Sequence, residues 1–460
     1  MNSKVILGLL CAFFSATSVF AQVQPAPSPT RQRIIVVGQP DKTYYTQTTP
    51  SPIPLVTPMA TPTPGRVVVV TNKVSSPTPT PLVTPRPLAT PIAGAIPSDT
   101  LANPGFTAPP PLAFIPPSSF KAMSLGQIRN NILNSKRIMQ TRPVQTALAD
   151  DSLMTNIIKV GFYDWKNSSI DFVTLAKPLF LNKQMVDLPV ISANGKSVRI
   201  RTVRSNYVNT AVVIIDENNQ PHTPLIVQYP IEKFGRFTEM AYYVSAHPGL
   251  ITPEVVGVGN LYVRNTIDIA RQKLAEKGQF ISPQIADIAE RLSMVEHVDH
   301  QRFWTEPHLS LYNEVFALYA LNEGNTYRYS VSSAGAGGMV QMIPSTYAMV
   351  RNRYYSVGLI PDFVEGMRNH VNAAQAMLLY MQMTWNDLSA NETVLNALDG
   401  GIATQAELMA AGYNSNPARL PLYIRRGGAG WKNLIPRETK IYLQIYSSLE
   451  SNVPMKARTK

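Results

Sequence analysis

The sequence predicts a multidomain chain: a mainly α C-terminal domain, preceded by a β-rich (α+β) domain and a disordered Pro-rich linker. Three observations lead there. Most of the 39 prolines fall between Gln22 and Pro117, where large apolar residues are few. Short β-branched runs bounded by turn residues follow, up to Val244. From Leu261 onward, apolar residues recur at the three-to-four spacing of helices instead.

In chain order, residues 1–21 read as a signal peptide. Lys4 supplies the positive region, Val5 to Phe14 the apolar run and Val19-Phe20-Ala21 the small-x-small cleavage site. That run is shorter than the roughly 20 apolar residues a membrane span needs. Periplasmic or secreted localisation follows. The single cysteine, Cys11, lies inside this segment, so the mature chain has neither a disulfide framework nor a thiol nucleophile. Lipidation at Cys11 is disfavoured by Gly8, which stands where a larger aliphatic residue is usual.

Residues 22–117 form the linker. TPTP, SPTPTP and APPP runs favour extended conformations without a core. IIVV at Ile34 to Val37 is echoed by VVVV at Val67 to Val70, two β-branched patches able to pair with a sheet edge. Residues 118–255 form the β-rich domain. A helix is expected over Leu125 to Met139. Strands are expected over Ile157 to Tyr163, Ile170 to Leu175, Ser197 to Val203, Thr210 to Ile215, Pro224 to Tyr229 and Phe237 to Val244, with turns at Asn194-Gly195 and Asn218-Asn219. Asp164, Lys166, Asp171, Glu217 and His222 occur there at no catalytic spacing.

Residues 256–460 form the helical domain. Helices are expected over Asn265 to Lys277, from Ser282-Pro283 (cap and first helical residue) through Val295, and over Leu309 to Asn322, Pro344 to Arg351, His370 to Leu388, Ala406 to Gly412 and Thr439 to Leu449. The net charge of +12 suits an anionic polymer such as a bacterial wall or a membrane surface. Export and the lack of a dense Lys/Arg block argue against nucleic acid.

The stretch from Asn322 to Tyr347, NEGNTYRYSVSSAGAGGMVQMIPSTY, carries the chemistry. It reads as a helix ending at Glu323, a small-residue loop and a new helix. A carboxyl at a helix C-terminus, close to an apolar face, is disposed to hold a proton, as a general acid must. The loop from Ala334 to Gly338 admits close approach of a bulky polymer, and Gln341 can hydrogen-bond sugar amides. Taken alone, a glutamate at a helix end is usually a solvated surface residue.

The spacing adds weight. Ser332 follows Glu323 by nine residues, and Gly335-Ala336-Gly337-Gly338-Met339-Val340-Gln341 and Pro344-Ser345-Thr346 follow in register. Downstream come Ala410-Ala411-Gly412-Tyr413-Asn414 and Ile435-Pro436-Arg437-Glu438-Thr439, with Tyr442. These blocks resemble the soluble lytic murein transglycosylase family of the lysozyme-like superfamily, over roughly Pro283 to Leu449. The departures are Gly324, where the family has Ser after its catalytic Glu, a Gly-Met-Val-Gln core in place of Gly-Leu-Met-Gln, Ile343 two residues after the Gln, and Asn416 in place of a Gly.

The resemblance implies a lysozyme-like fold and cleavage of the β-1,4 bond between N-acetylmuramic acid and N-acetylglucosamine in peptidoglycan, leaving a 1,6-anhydro end. Glu323 would be the single acid and base, a substrate-assisted variant of the two-carboxylate scheme. Ser332, Gln341, Tyr413 and Met339 would line the sugar groove, Tyr413 being the residue that in the family lies beside the catalytic Glu, and Glu438 would either line the groove as a second polar group or pair with a nearby Arg. No metal or other cofactor is implied. The partners would be peptidoglycan strands, with peripheral wall or membrane association through the linker or the β-rich domain. A goose-type lysozyme-like hydrolase and a non-catalytic wall-binding protein are the alternatives.

Other candidates are weaker. His297 and His300 flank Asp299 at a spacing able to hold zinc, but a solvated helix face is the plainer reading. Arg425-Arg426 suits the carboxylates of peptide stems or an exposed loop. Trp304, Trp385 and Trp431 suit sugar stacking or the core, and the core is the better prior.

Overall fold

The computed structural model describes residues 34–35, 121–141, 155–182 and 186–459. The segment expected to be a signal peptide and nearly all of the expected linker, Val67 to Val70 included, lie outside them. Ile34–Ile35 (β1) pairs antiparallel with Ser330–Val331.

The β-rich region is a curled antiparallel sheet. Its strands are β2 (Ile157–Asp164), β3 (Ser169–Ala176), β4 (Leu188–Ile191), β5 (Ser197–Arg204), β6 (Ala211–Asp216), β7 (Pro221–Lys233) and β8 (Arg236–Tyr243). The spatial order is β3-β2-β7-β6-β5-β4, with β8 also on β7. Strand β7 is the spine. Its first residues pair with β6, its middle with β2, and Val227 to Lys233 with β8. The curl brings the two ends of the strand order together, and Ala193 N–H donates to Phe172 O at 2.8 Å. The predicted turns sit between β4 and β5, where Gly195 has φ +79°, and between β6 and β7, where Asn219 has φ +61°. Both need the left-handed region that Gly and Asn tolerate.

Strand β6 is buried at every position and β7 nearly so, because both faces of the sheet are covered. Helix α1 (Leu125–Thr141) covers one face. Its Ile128, Ile132 and Met139, on one helical stripe, pack with Phe172, Leu225 and Ile226. A short turn, α2 (Lys177–Phe180), follows β3.

The helical region begins with α3 (Pro253–Ala275), capped by Thr252. This helix runs through the boundary expected after Val255 and starts well before the Asn265 expected for it. Then come α4 (Pro283–Val295), α5 (His300–Thr305), α6 (His308–Asn322), the two-residue β9 (Ser330–Val331), α7 (Pro344–Arg353), α8 (Phe363–Arg368), α9 (His370–Ser389), α10 (Glu392–Asp399), α11 (Gln405–Asn414), α12 (Leu420–Gly427) and α13 (Arg437–Asn452). Ser282 caps α4 as expected, accepting from Ile285 N–H at 3.2 Å, with Pro283 in the first turn.

Sheet and helices share one apolar core. It runs from Val160, Phe162 and Tyr229 of the sheet to Ile285, Phe316, Leu378 and Ile445 of the helices. Helix α6 is apolar nearly all round and is buried accordingly. Its last residue, Asn322, bridges back to the end of β8, accepting from Val244 N–H at 2.9 Å and donating to Val244 O at 2.8 Å. Helix α3 crosses α6 so closely that a Cβ on Gly259 would lie 1.9 Å from Phe316 O. Among the described residues, no helix is long and apolar enough to cross a membrane.

Candidate active site

A cleft of about 600 Å³ opens between sheet and helices. Thr202 to Tyr207 and Asn209 form its sheet wall; Glu296 to Arg302, Glu314 and Leu318 form its helical wall; Tyr327, Ser332, Gln341 and Tyr442 also line it.

At the end of α4 the apolar stripe of Ile285, Ile288, Leu292 and Val295 drives the helix into the core. The next residue, the C-cap Glu296, is carried in with it and is only 7% exposed. Tyr442, from α13, donates to Glu296 Oε1 at 2.8 Å. Tyr413, from α11, lies within electrostatic reach. Burial, the Glu296 charge and Tyr380, in that order, push its phenol well above the ordinary range. Tyr413 therefore keeps its proton, which it donates to Val340 O at 2.7 Å.

His297 also lies on this wall. A carbonyl only accepts, so the 2.8 Å contact with Met339 O fixes a proton on His297 Nε2. Its ring stacks on Tyr327 with centroids 3.4 Å apart.

The loop after β9 brings Ser332 and Gln341 to the cleft. Ser332 Oγ accepts from Ala336 N–H at 3.0 Å and Ser332 N–H donates to Ala336 O at 2.8 Å, closing a tight turn. Gly338, at φ +68°, touches neighbouring backbone: a Cβ there would lie 2.4 Å from Met367 O. Gln341 has φ +46° and donates from Nε2 to Gly338 O at 2.8 Å. The small residues serve close chain packing: Ala336, Gly337 and Gly338 are buried, and none of Ala334 to Gly338 lines the cleft.

Two other carboxylates on the cleft are committed elsewhere. Asp299 caps α5, accepting from Gln301 and Arg302 N–H. Glu314 takes both Arg302 Nη atoms at 2.7 Å and Arg204 Nη1 at 3.0 Å. Burial works to raise the Glu314 pKa, but the two guanidiniums outweigh it and hold it below the usual range.

The structure brings together Ser332, Gln341 and Tyr413 from the predicted set, and separates the others. Glu323 caps the end of α6 with φ +48°, but its side chain is 61% exposed, pairs with Arg129 at 3.3 Å and does not line the cleft. The burial expected of it belongs to Glu296. Glu438 is exposed in the first turn of α13, away from the cleft lining. The Met339 side chain is fully buried, and it is the Met339 carbonyl that serves the site by holding His297. No group of His, Cys, Asp and Glu able to hold a metal occurs among the described residues. Trp431 is core, Trp385 packs against the core and Trp304 is exposed. Arg425 and Arg426 are exposed at the end of α12.

Sequence reading passed over Glu296, and named Tyr442 only as part of the closing block with Ile435 to Thr439. A signal for Glu296 was present: it also ends a capped, apolar-striped helix, next to the His297 weighed as a ligand. For Tyr442 the motif block gave no sign of its partner, which lies 146 residues away.

No family model matches the chain, nor does any curated protein or solved structure.

Proposed function

We propose that the protein is a peptidoglycan lytic transglycosylase in which Glu296, and not Glu323, is the acid and base. The observation that carries this reading is the convergence on one cleft of a buried helix-terminal carboxylate and its phenol donor with Ser332 and Gln341, with Tyr413 beside it. In the family that the motifs resemble, the tyrosine of the Tyr-Asn block lies beside the catalytic Glu, and here the carboxylate whose charge acts on Tyr413 is Glu296. The expected nine-residue step from acid to Ser332 becomes 36 residues, with α5 and α6 between.

The reaction follows from the groups present. Glu296 gives its proton to the glycosidic oxygen between N-acetylmuramic acid and N-acetylglucosamine as the C1–O bond breaks. The neighbouring acetamide of the substrate stabilises the positive sugar, which relieves the site of a second catalytic carboxylate. Glu296, now a base, takes the proton of the muramic acid 6-hydroxyl while that oxygen bonds to C1. Tyr442 holds the carboxyl in one orientation, and Ser332 and Gln341 contact the sugar. Positioned acid–base transfer contributes about 10²–10⁴-fold in rate.

Digestion of purified peptidoglycan, with products read by mass spectrometry, tests this. Wild type releases 1,6-anhydro muropeptides, Glu296→Gln loses at least about a hundredfold in rate and Glu323→Gln stays near wild type. The opposite ranking of the two variants returns the acid to Glu323. Hydrated reducing ends from wild type make the protein a goose-type hydrolase, and release by none of the three makes it a binding protein.

A further inference from the structure

We propose that the connection from β5 to β6 is a glycan subsite, with Tyr207 as the platform on which a pyranose ring stacks. The inference rests on reading the cleft as a glycan groove and extends that groove onto the sheet, a region with no assigned role.

Three observations converge on this loop. It lines the cleft on the wall facing Glu296, through Asn206, Tyr207 and Asn209. Tyr207 is 41% exposed, whereas its neighbour Val208 is buried and anchors the turn. Tyr207 also has φ +46°, a strained left-handed conformation that a bulky aromatic residue rarely adopts. Packing alone gives no reason for that strain, because the ring is half in solvent.

The surrounding structure is built to hold the ring there. Thr210 Oγ1 donates to Tyr207 O at 2.6 Å and accepts from Asn206 N–H at 2.9 Å, and Ser205 Oγ donates to Leu181 O at 3.0 Å. Just before the loop, β5 shifts register between Thr202 and Arg204, a bulge of the kind that re-aims a strand beside a site. Arg204, the last residue of β5, reaches Glu314, which Arg302 grips from the helical wall. The two walls are thereby fixed to each other.

The chemistry selects a sugar. A pyranose has an apolar face of C–H groups and a polar rim. A tyrosine ring offers an apolar face with a polar tip at little entropic cost. The Asn206 amide beside it supplies donor and acceptor for hydroxyl or acetamide groups. The class of ligand is an N-acetylated β-1,4-linked glycan strand long enough to run from Glu296 to the sheet.

The probe is chitotetraose, titrated by calorimetry into the full chain carrying Glu296→Gln to prevent turnover. Adding Tyr207→Ala weakens binding about tenfold, whereas Tyr207→Trp retains it. Tyr207→Gly removes ring and backbone strain together, so it weakens binding equally while its Tm is at least that of the parent, which separates lost stacking from lost fold. Failure of the parent to bind chitotetraose, or equal affinity with and without the ring, overturns the subsite. Wild-type digestion without anhydro products, but with the Tyr207 effect intact, overturns the transglycosylase reading alone and supports the subsite.

Discussion

Glu296 and Glu323 differ in sequence context by little and in environment by a great deal. Both end an apolar helix. One is carried into the core and hydrogen-bonded by Tyr442; the other is turned to solvent and paired with Arg129. The Tyr442 bond gives a prediction at this scale. Tyr442→Phe keeps the ring and removes the donor, and a hydrogen bond to a charged group is worth about 1.5–3 kcal/mol. The expected result in steady-state kinetics is a fall in kcat of about tenfold or more with KM little changed. A KM effect alone would assign Tyr442 to substrate binding.

The element that decides the site's geometry is the pair α5 and α6, inserted between Glu296 and Ser332. Helix α6 fills the core, α5 contributes Arg302 to the cleft wall, and Glu314 on α6 ties Arg302 to Arg204 of the sheet. The seating of α6 depends on Gly259. The projected Cβ contact with Phe316 O is with backbone and cannot be relieved by a rotamer change. Gly259→Ala is therefore expected to destabilise by about 3 kcal/mol or more through overpacking, lowering Tm by roughly 5 °C or more. A Tm within one or two degrees of wild type would show that α3 and α6 separate freely.

Across the whole molecule, two buried histidines make stability depend on pH. Burial lowers the His370 pKa to about 4, against a smaller opposing effect of the Thr326 carbonyl, and lowers His247 to about 3. Each imidazole Nδ1 has a hydrogen-bonding neighbour suited to the neutral ring: the Tyr262 hydroxyl for His370 and Gly249 N–H for His247. Both folded pKa values lie below the unfolded value of 6.5, so the unfolded chain binds more protons between them. The stability is fully present above pH 6.5. It is lost as pH falls toward 4 and, for His247, toward 3, at about 1.4 kcal/mol per pH unit per histidine. Denaturant unfolding at pH 7.0, 5.5 and 4.5 should show that decline, and a flat profile would mean that neither histidine is held neutral.

The six predicted strands and the predicted helices among the described residues were legible because their signals are local: β-branched alternation, caps at Ser282, turns at Gly195 and Asn219. Strand β4 and the short helices α5, α8, α10 and α12 were not, being too short for periodicity to speak. Ser332, Gln341 and Tyr413 could be singled out because each lies in a compact block of fixed spacing, and Ser332 and Gln341 do line the cleft. The buried carboxylate Glu296 could not be, because spacing along the chain cannot reveal which helix-terminal carboxylate the fold removes from solvent. The sequence by itself determined the longer strands and helices. Only the tertiary structure decided which carboxylate is removed from water and that the sheet forms the opposite wall of its cleft. Burial and hydrogen bonding of a side chain are set by what packs against it, and for Glu296 the hydrogen-bond donor, Tyr442, arrives from a distant part of the chain.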